Sequence, residues 1–323
     1  MCTALTFQSI DGTIFFGRTL DFSISIQPAL YIIPKHYRWS SVTNHKQYEN
    51  NFRFIGIGQE INGFPAFIEG VNDQGLAVAA LYFEGYADFQ LASDEKEELT
   101  TFDFVHYLLG SCQSIKQVKE KLVNKRIIGI KDPITNTVAP LHWIATDREG
   151  NCVAIEQTYN GLQIIDNPIG VFANSPTFDW HLTNLPNYMN LTTTQKEEAN
   201  WGKVTLKPFS QGGGTAHLPG GFTSPERFVR MAFLKSHIVT PENNEAAIVT
   251  GFQLLGNVFL PKGIVITPKG EYDFTRYVSM INTNTGEYYF KTYNNDQIMT
   301  ASLHDFDTSK PEMICLGKLI NED

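Results

Sequence analysis

Apolar positions along this chain recur mostly at every second residue or in short unbroken runs, the period of strands rather than of helices. Leu5-Thr6-Phe7 alternates, Asp11-Gly12 is a hairpin turn signal, and Thr13 to Arg18 returns as a second strand. Runs at 30–33, 54–57, 65–68 and 76–82 predict further strands, punctuated by Gly70, Asn72-Asp73-Gln74-Gly75 and Gly85. Helical spacing appears at 101–109 and at 115–122, the latter opened by Ser114 as N-cap. Strands resume at 141–145 and 152–157, joined by a turn at Asp147-Arg148-Glu149-Gly150, and again at 162–165 and 169–173. Three more helices are predicted at 178–188, at 225–237 with Ser224 as N-cap and Pro225 at N1, and at 241–255. Strands at 273–281, 287–293 and 297–303 complete the pattern.

Blocks of hairpin-linked strands interrupted by grouped helices predict an α+β protein, with antiparallel sheets and helices on their outer faces. No linker divides the chain, so residues 1–323 read as one domain. The exception in texture is 190–221, a polar insertion holding Gly212-Gly213-Gly214 and Gly220-Gly221. A loop of that length in a compact domain is usually functional or an association element. Its glycines lack the Lys-Ser/Thr ending of a phosphate loop, which argues against nucleotide binding.

Charge narrows the partners. Lys+Arg 25 against Asp+Glu 34 gives a net charge of −9, with no basic stripe for nucleic acid. No stretch approaches ~18 apolar residues, and no basic leader precedes an apolar run, so no membrane is expected and a cytoplasmic location is. The cysteines Cys2, Cys112, Cys152 and Cys315 have no zinc spacing, and no metal or cofactor is implied. Cys112 and Cys152 read as core residues.

Cys2 carries the chemistry. A small residue behind Met1 permits removal of the initiator, leaving a thiol and a free α-amine on one residue. An α-amine titrates at ~7.7–8.0, so it can serve as base for its own side chain. The predicted hairpin would hold this terminus inside a sheet rather than let it fray. It also returns Arg18 and Asp21 toward Cys2. Arg18 is a fixed positive charge favouring the thiolate, and Asp21 is a carboxylate able to hold the α-amine. These two are three apart, so a regular strand puts them on opposite faces; both reach Cys2 only if the strand bends near Thr19–Leu20. His142 and His181 read as packing residues rather than as partners for the thiol.

Several stretches in order resemble the choloylglycine hydrolase family, which contains bile salt hydrolases and penicillin V acylases and belongs to the N-terminal nucleophile hydrolases. They are Met1-Cys2-Thr3, Gly17-Arg18-Thr19-Leu20-Asp21, Ala80-Leu81-Tyr82-Phe83, Leu141-His142-Trp143, Ala173-Asn174-Ser175-Pro176-Thr177-Phe178-Asp179-Trp180-His181, and Leu218-Pro219-Gly220-Gly221 with Arg227-Phe228. The resemblance implies an αββα sandwich and hydrolysis of a small-molecule amide through an acyl-enzyme on Cys2. It further implies that the amide of Asn174 and the backbone N–H of Tyr82 form an oxyanion hole, that Arg227 supports the site, and that 190–221 links a homotetramer. Bile salt hydrolases of the family usually carry Asn where this chain has Tyr82, and the penicillin V acylases resembled carry Tyr. Tyr82 therefore tilts the expected substrate toward penicillin V, with conjugated bile salts or N-acyl homoserine lactones as alternatives. Pocket shape would rest on the loops 21–26, 61–67 and 127–138.

Overall fold

The computed structural model describes residues 1–24, 26–42, 46–61, 64–89, 97–132 and 136–320. Among these residues two large antiparallel sheets carry the fold. One has seven strands, running Val171–Phe172, Cys2–Gln8, Ile14–Phe22, Tyr272–Asn282, Glu287–Thr292 and Asn295–Ser302, with Val265–Ile266 paired onto the fourth. The other has eight, in the order Gly161–Asp166, Cys152–Thr158, Leu141–Thr146, Ala77–Tyr82, Phe64–Asn72, Phe54–Ile61, Ala29–Ile33 and Ile314–Lys318.

The period of two sorts the eight-stranded sheet into two buried faces. Leu30, Ile32, Ile55, Ile57, Ala77, Ala79 and Leu81 join a core shared with the seven-stranded sheet. Their alternates Ala29, Tyr31, Ile33, Phe54, Val78 and Ala80 join a second core with helices α1 (Phe104–Ser111) and α2 (Ile115–Leu122). Helices α4 (Ser224–His237) and α5 (Asn244–Gly256) cover the other sheet from outside, so the layers run helix, sheet, sheet, helix. This is the predicted αββα sandwich.

Several boundaries differ from the sequence pattern for local reasons. The helix expected at 178–188 is α3 (Phe178–Asn184), followed by a 3-10 turn at Leu185–Tyr188 that contains Pro186, whose ring cannot continue an α-helix. Helix α5 starts after Asn243, whose side chain accepts from Ala246 N, and not at Pro241. Thr223, not Ser224, caps α4 and accepts from Glu226 N, while the Glu226 carboxylate accepts from the Thr223 hydroxyl at 2.6 Å. Ser224 is thereby released for another partner. The insertion at 190–221 is not featureless: it carries a small hairpin, Ala199–Trp201 with Val204–Leu206, that exposes Trp201, Val204 and Leu206 beside Phe209.

The first hairpin places the site. Gly12 takes the left-handed conformation at φ +87, and Cys2–Gln8 then pairs with Ile14–Phe22 from Gln8↔Ile14 to Cys2↔Leu20. Cys2–Gln8 is flanked on its other edge by Val171–Phe172, so the chain start is an interior strand. The bend expected near Thr19–Leu20 is absent from that ladder; the register shift lies in the partner strand, between Thr275 and Tyr277.

Candidate active site

Cys2 is 4% exposed, and Arg18 Nη2 donates to its Sγ at 2.8 Å. Arg18 is itself fully buried and tied on every side: Nη1 donates to Ala80 O at 2.8 Å, Nε to Thr19 O at 3.2 Å, and Nε pairs with Glu69 Oε2 at 3.3 Å. Burial pulls the guanidinium pKa down, but Cys2, Tyr277, Glu69 and Asp21 together drive it above its ordinary value, so the charge is fixed.

Asp21 lies on the opposite face from Arg18, as strand alternation requires. Its carboxylate accepts from Thr19 Oγ1, two residues back, at 3.1 Å, and from Thr275 Oγ1 at 2.6 Å. Burial pushes its carboxyl above the usual range, against the pull of the N-terminal ammonium, Arg227 and the Thr275 hydroxyl. Both residues approach the terminus without a bent strand because they meet different parts of it, Arg18 the thiol and Asp21 the main chain. Met1 extends the ladder by one residue: Asp21 N donates to Met1 O at 2.9 Å and Met1 N donates to Asp21 O at 2.6 Å. The Met1 ammonium also reaches Asp273 Oδ2 at 3.2 Å. With Met1 in place, the Cys2 nitrogen is an amide and has no basic lone pair.

That nitrogen donates to Asn174 Oδ1 at 2.8 Å. Arg227 Nη2 donates to the same oxygen at 2.6 Å, and its Nη1 reaches Cys2 O at 2.6 Å and the Thr3 hydroxyl. Asn174 Nδ2 donates one hydrogen to Tyr82 O at 2.7 Å, which leaves its second hydrogen free to meet an incoming oxygen. The backbone N–H of Asn174 donates to Ser224 Oγ at 2.9 Å, the partner freed by the Thr223 cap. Burial lowers the pKa of Arg227, opposed by Asp21, Cys2 and Asp273.

The main chain near Tyr82 faces this cluster. Pairing of Ala77–Tyr82 with Phe64–Asn72 ends at Ala79, so the strand edge beyond is open on that side. Phe83 N donates to Pro140 O on the other side. Alternation then directs the N–H of Tyr82 to the open edge, where Ala80 O meets Arg18 and Tyr82 O meets Asn174. The six residues singled out from the sequence therefore converge.

Sequence reasoning missed Glu69, Thr275, Ser224 and Asp273. Glu69 is fully buried and accepts from Ser279 Oγ at 2.6 Å, Tyr277 Oη at 3.1 Å and Tyr288 Oη at 3.4 Å. A lone carboxylate inside the apolar run Phe67-Ile68-Glu69-Gly70-Val71 was the available signal. The histidines are packing residues. His142 bonds Glu156 Oε1 and Ala173 O and stacks on Phe83; His181 bonds Asn174 O and stacks on Phe228. Burial depresses both, His181 to about 4, too low for a base working near neutral pH.

Two clefts meet at Tyr82. Cys2 lines an apolar one with Leu20, Phe22, Ile26, Phe67, Leu81 and Tyr82. Met1, Asn174 and Asp273 line a more polar one with Glu84, Lys269 and Glu271. Of the loops expected to shape the pocket, residues 25, 62–63 and 133–135 lie outside the described residues. Among the described residues no cluster of His, Cys, Asp or Glu could hold a metal ion.

A buried cysteine on this interior strand, with an arginine on its sulfur and an asparagine on its nitrogen, is an arrangement able to attack an acyl carbon. Residues 2–315 match the family of linear amide C-N hydrolases, choloylglycine hydrolase family. The chain belongs to the choloylglycine hydrolase family. It is therefore a linear amide C–N hydrolase. This choloylglycine hydrolase family member is 34% identical over 97% of its length, and 96% of the relative, to the bile salt hydrolase/transferase of Lactiplantibacillus plantarum. It resembles a solved variant of the conjugated bile acid hydrolase of Clostridium perfringens with a TM-score of 0.91 and 32% identity, covering 98% of this chain and 96% of that one. A penicillin V acylase of Pectobacterium atrosepticum is more distant, at 24% identity over 89% of this chain and 76% of the relative. The substrate tilt drawn from Tyr82 is thus less supported than its bile salt alternative.

Proposed function

We propose that this chain, once Met1 is removed, hydrolyses the amide of glycine- or taurine-conjugated bile acids through a thioester on Cys2. The observation that carries the reading is the apolar cleft opening onto the Cys2 thiol, lined by Leu20, Phe22, Ile26, Phe67 and Leu81. An extended hydrocarbon acyl group fits such a wall, and its carbonyl would meet Sγ at the polar edge. The names of the relatives at 34% and 35% identity point the same way.

The geometry supports a sequence of steps. Arg18 steadies the sulfur anion while Sγ attacks the carbonyl carbon and the α-amine of Cys2 takes the thiol proton. The carbonyl oxygen gains the electron pair and receives hydrogen bonds from the free Nδ2 hydrogen of Asn174 and the N–H of Tyr82. Donors fixed at that point typically stabilise the transition state by ~2.7–4 kcal/mol each. The C–N bond breaks as the α-ammonium protonates the leaving nitrogen. The leaving amine lies beside that ammonium, on the Met1 side of the site, where the second cleft is more polar than the first. Water, deprotonated by the α-amine, attacks the thioester carbon; the C–S bond breaks, the α-ammonium returns the proton to Sγ, and the bile acid leaves. Asn174 Oδ1 and Arg227 orient the amine and its residue throughout.

Tyr82 favours a second reading, penicillin V as substrate. Its half-buried ring meets Phe22 edge-on at 6.0 Å and 65°, and offers a flat aromatic face to a phenoxyacetyl group. The test is amine release by processed enzyme from glycocholate, taurocholate and penicillin V, with Cys2→Ala as blank. Release of glycine and taurine supports the bile salt reading; release of 6-aminopenicillanate alone supports the second.

Self-association through 190–221 accompanies this function. The exposed Trp201, Val204 and Phe209 give that segment an apolar surface that a second copy of the chain would cover.

A further inference from the structure

Glu69 sits where a carboxylate is costly. It is fully buried on Phe64–Asn72, in the sheet opposite Cys2, and burial pushes its carboxyl upward against the pull of Arg18 and three hydroxyls. Arg18 Nε lies 3.3 Å from Oε2, and Ser279, Tyr277 and Tyr288 supply hydroxyl donors at 2.6, 3.1 and 3.4 Å. Arg18 Nε donates its one hydrogen to Thr19 O, so Glu69 meets the guanidinium as a counter-charge, while a carboxylate is the form that accepts from all three hydroxyls. One guanidinium therefore joins two acceptors: Nη2 on Cys2 Sγ at 2.8 Å and Nε against Glu69. The fork is rigid and planar, so Glu69, together with Ala80 O on Nη1 and Thr19 O on Nε, sets the angle at which Nη2 meets sulfur.

We propose that Glu69 is a positioning residue that holds Arg18 against the Cys2 sulfur and, by sharing its positive charge, limits how strongly Arg18 favours the thiolate. An arginine without a counter-charge would stabilise the thiolate more and leave it a poorer nucleophile, because nucleophilicity falls as the anion becomes more stable. The other charged or titratable groups that act on this sulfur are Arg227 from helix α4 and Tyr277 from Tyr272–Asn282, while Asp21, Asp273 and the N-terminal amine act on Arg18, Arg227 or one another. None of them touches Arg18 Nε.

The inference rests on Cys2 being the nucleophile, but its test needs no substrate. Processed protein is alkylated with iodoacetamide from pH 5 to 10, and the rate is read on the N-terminal peptide, apart from Cys315. Glu69→Gln keeps shape and removes charge. Its half-maximal pH for Cys2 alkylation is expected to fall by about one unit, while Glu69→Asp, which retains the charge, stays at the wild-type midpoint. An unchanged or raised midpoint in Glu69→Gln overturns the proposal, and a merely structural loss would lower melting temperature without moving the midpoint. Should Glu69→Gln not fold, carbon-13 spectra of glutamate carboxylates in the wild-type protein carry the test. One resonance is expected to move as Cys2 ionises and to stop moving once Cys2 is alkylated; its absence overturns the proposal. If wild type cleaves no bile salt yet the alkylation shift is found, the substrate reading fails and this one stands.

Discussion

Ser224 Oγ accepts the backbone N–H of Asn174 at 2.9 Å, and it is free to do so because Thr223 caps the helix in its place. One hydroxyl thus joins the start of helix α4 to the residue that holds the Cys2 nitrogen. Ser224→Ala should leave the partly buried Asn174 N–H without a partner, at a cost of about 1–3 kcal/mol. Displacement of the Asn174 side chain is expected to lower kcat about tenfold while the fold persists. Steady-state kinetics beside thermal unfolding check this, and unchanged kcat with a lowered melting temperature would confine Ser224 to stability.

Asn174 has one committed Nδ2 hydrogen and one free hydrogen. Asn174→Ala should reduce kcat by roughly a hundredfold or more with a smaller change in KM, since the lost donor acts on the transition state. Asn174→Asp should be at least as harmful, because a carboxylate repels a developing oxyanion. Near-wild-type kcat in Asn174→Ala would remove it from the oxyanion hole.

Met1 fills the position beside Asp21 and Asp273 and leaves Cys2 N as an amide donating to Asn174. Protein that retains Met1 should be inactive. Intact-mass analysis of active fractions should find a chain that starts at Cys2, and full activity in a Met1-bearing chain would refute the role given to the α-amine.

Two buried histidines make the fold acid-sensitive. His106 is depressed to about 3 and His181 to about 4, both by burial. Their unfolded counterparts bind protons from about pH 6.5 downward, so the folded state loses stability as pH falls through that window, by roughly 1.4 kcal/mol per pH unit for each. His106 packs between Trp39 and Phe54 with neither ring nitrogen bonded, so His106→Phe should flatten the loss between pH 6 and 4. Denaturant unfolding at several pH values measures the slope.

The sequence pattern carried the antiparallel strands and outer helices, while the αββα sandwich itself came from the family resemblance; the period of two then sorts the two cores, as with Leu30 and Ile32 against Tyr31 and Ile33. Cys2, Arg18 and Asp21 were legible from the terminal hairpin, and Tyr82, Asn174 and Arg227 through the motifs that resemble the family. Glu69, Thr275 and Asp273 were not, since they meet Arg18, Asp21 and Met1 only through contacts 51 to 272 residues apart, which alternation along one strand cannot reveal. The cap of α4 was misplaced by one residue because Thr223 and Ser224 are both competent caps; the Thr223–Glu226 bond decides between them.

The arm at 190–221 should govern assembly. Replacing Trp201 and Phe209 with Ser removes exposed apolar surface and should shift the protein toward smaller species in sedimentation velocity without loss of helix or strand signal. Wild-type protein that sediments as a monomer at micromolar concentration would contradict association through this arm.

The most direct measurement of the functional claim is kcat/KM for glycocholate and for penicillin V on the same processed enzyme, with Tyr82→Asn alongside. The account predicts faster cleavage of glycocholate, by about tenfold or more, and a further loss of penicillin V cleavage when the ring of Tyr82 is removed. A preference for penicillin V of roughly tenfold or more, abolished by Tyr82→Asn, would contradict it and make the aromatic wall of Tyr82 the determinant of substrate.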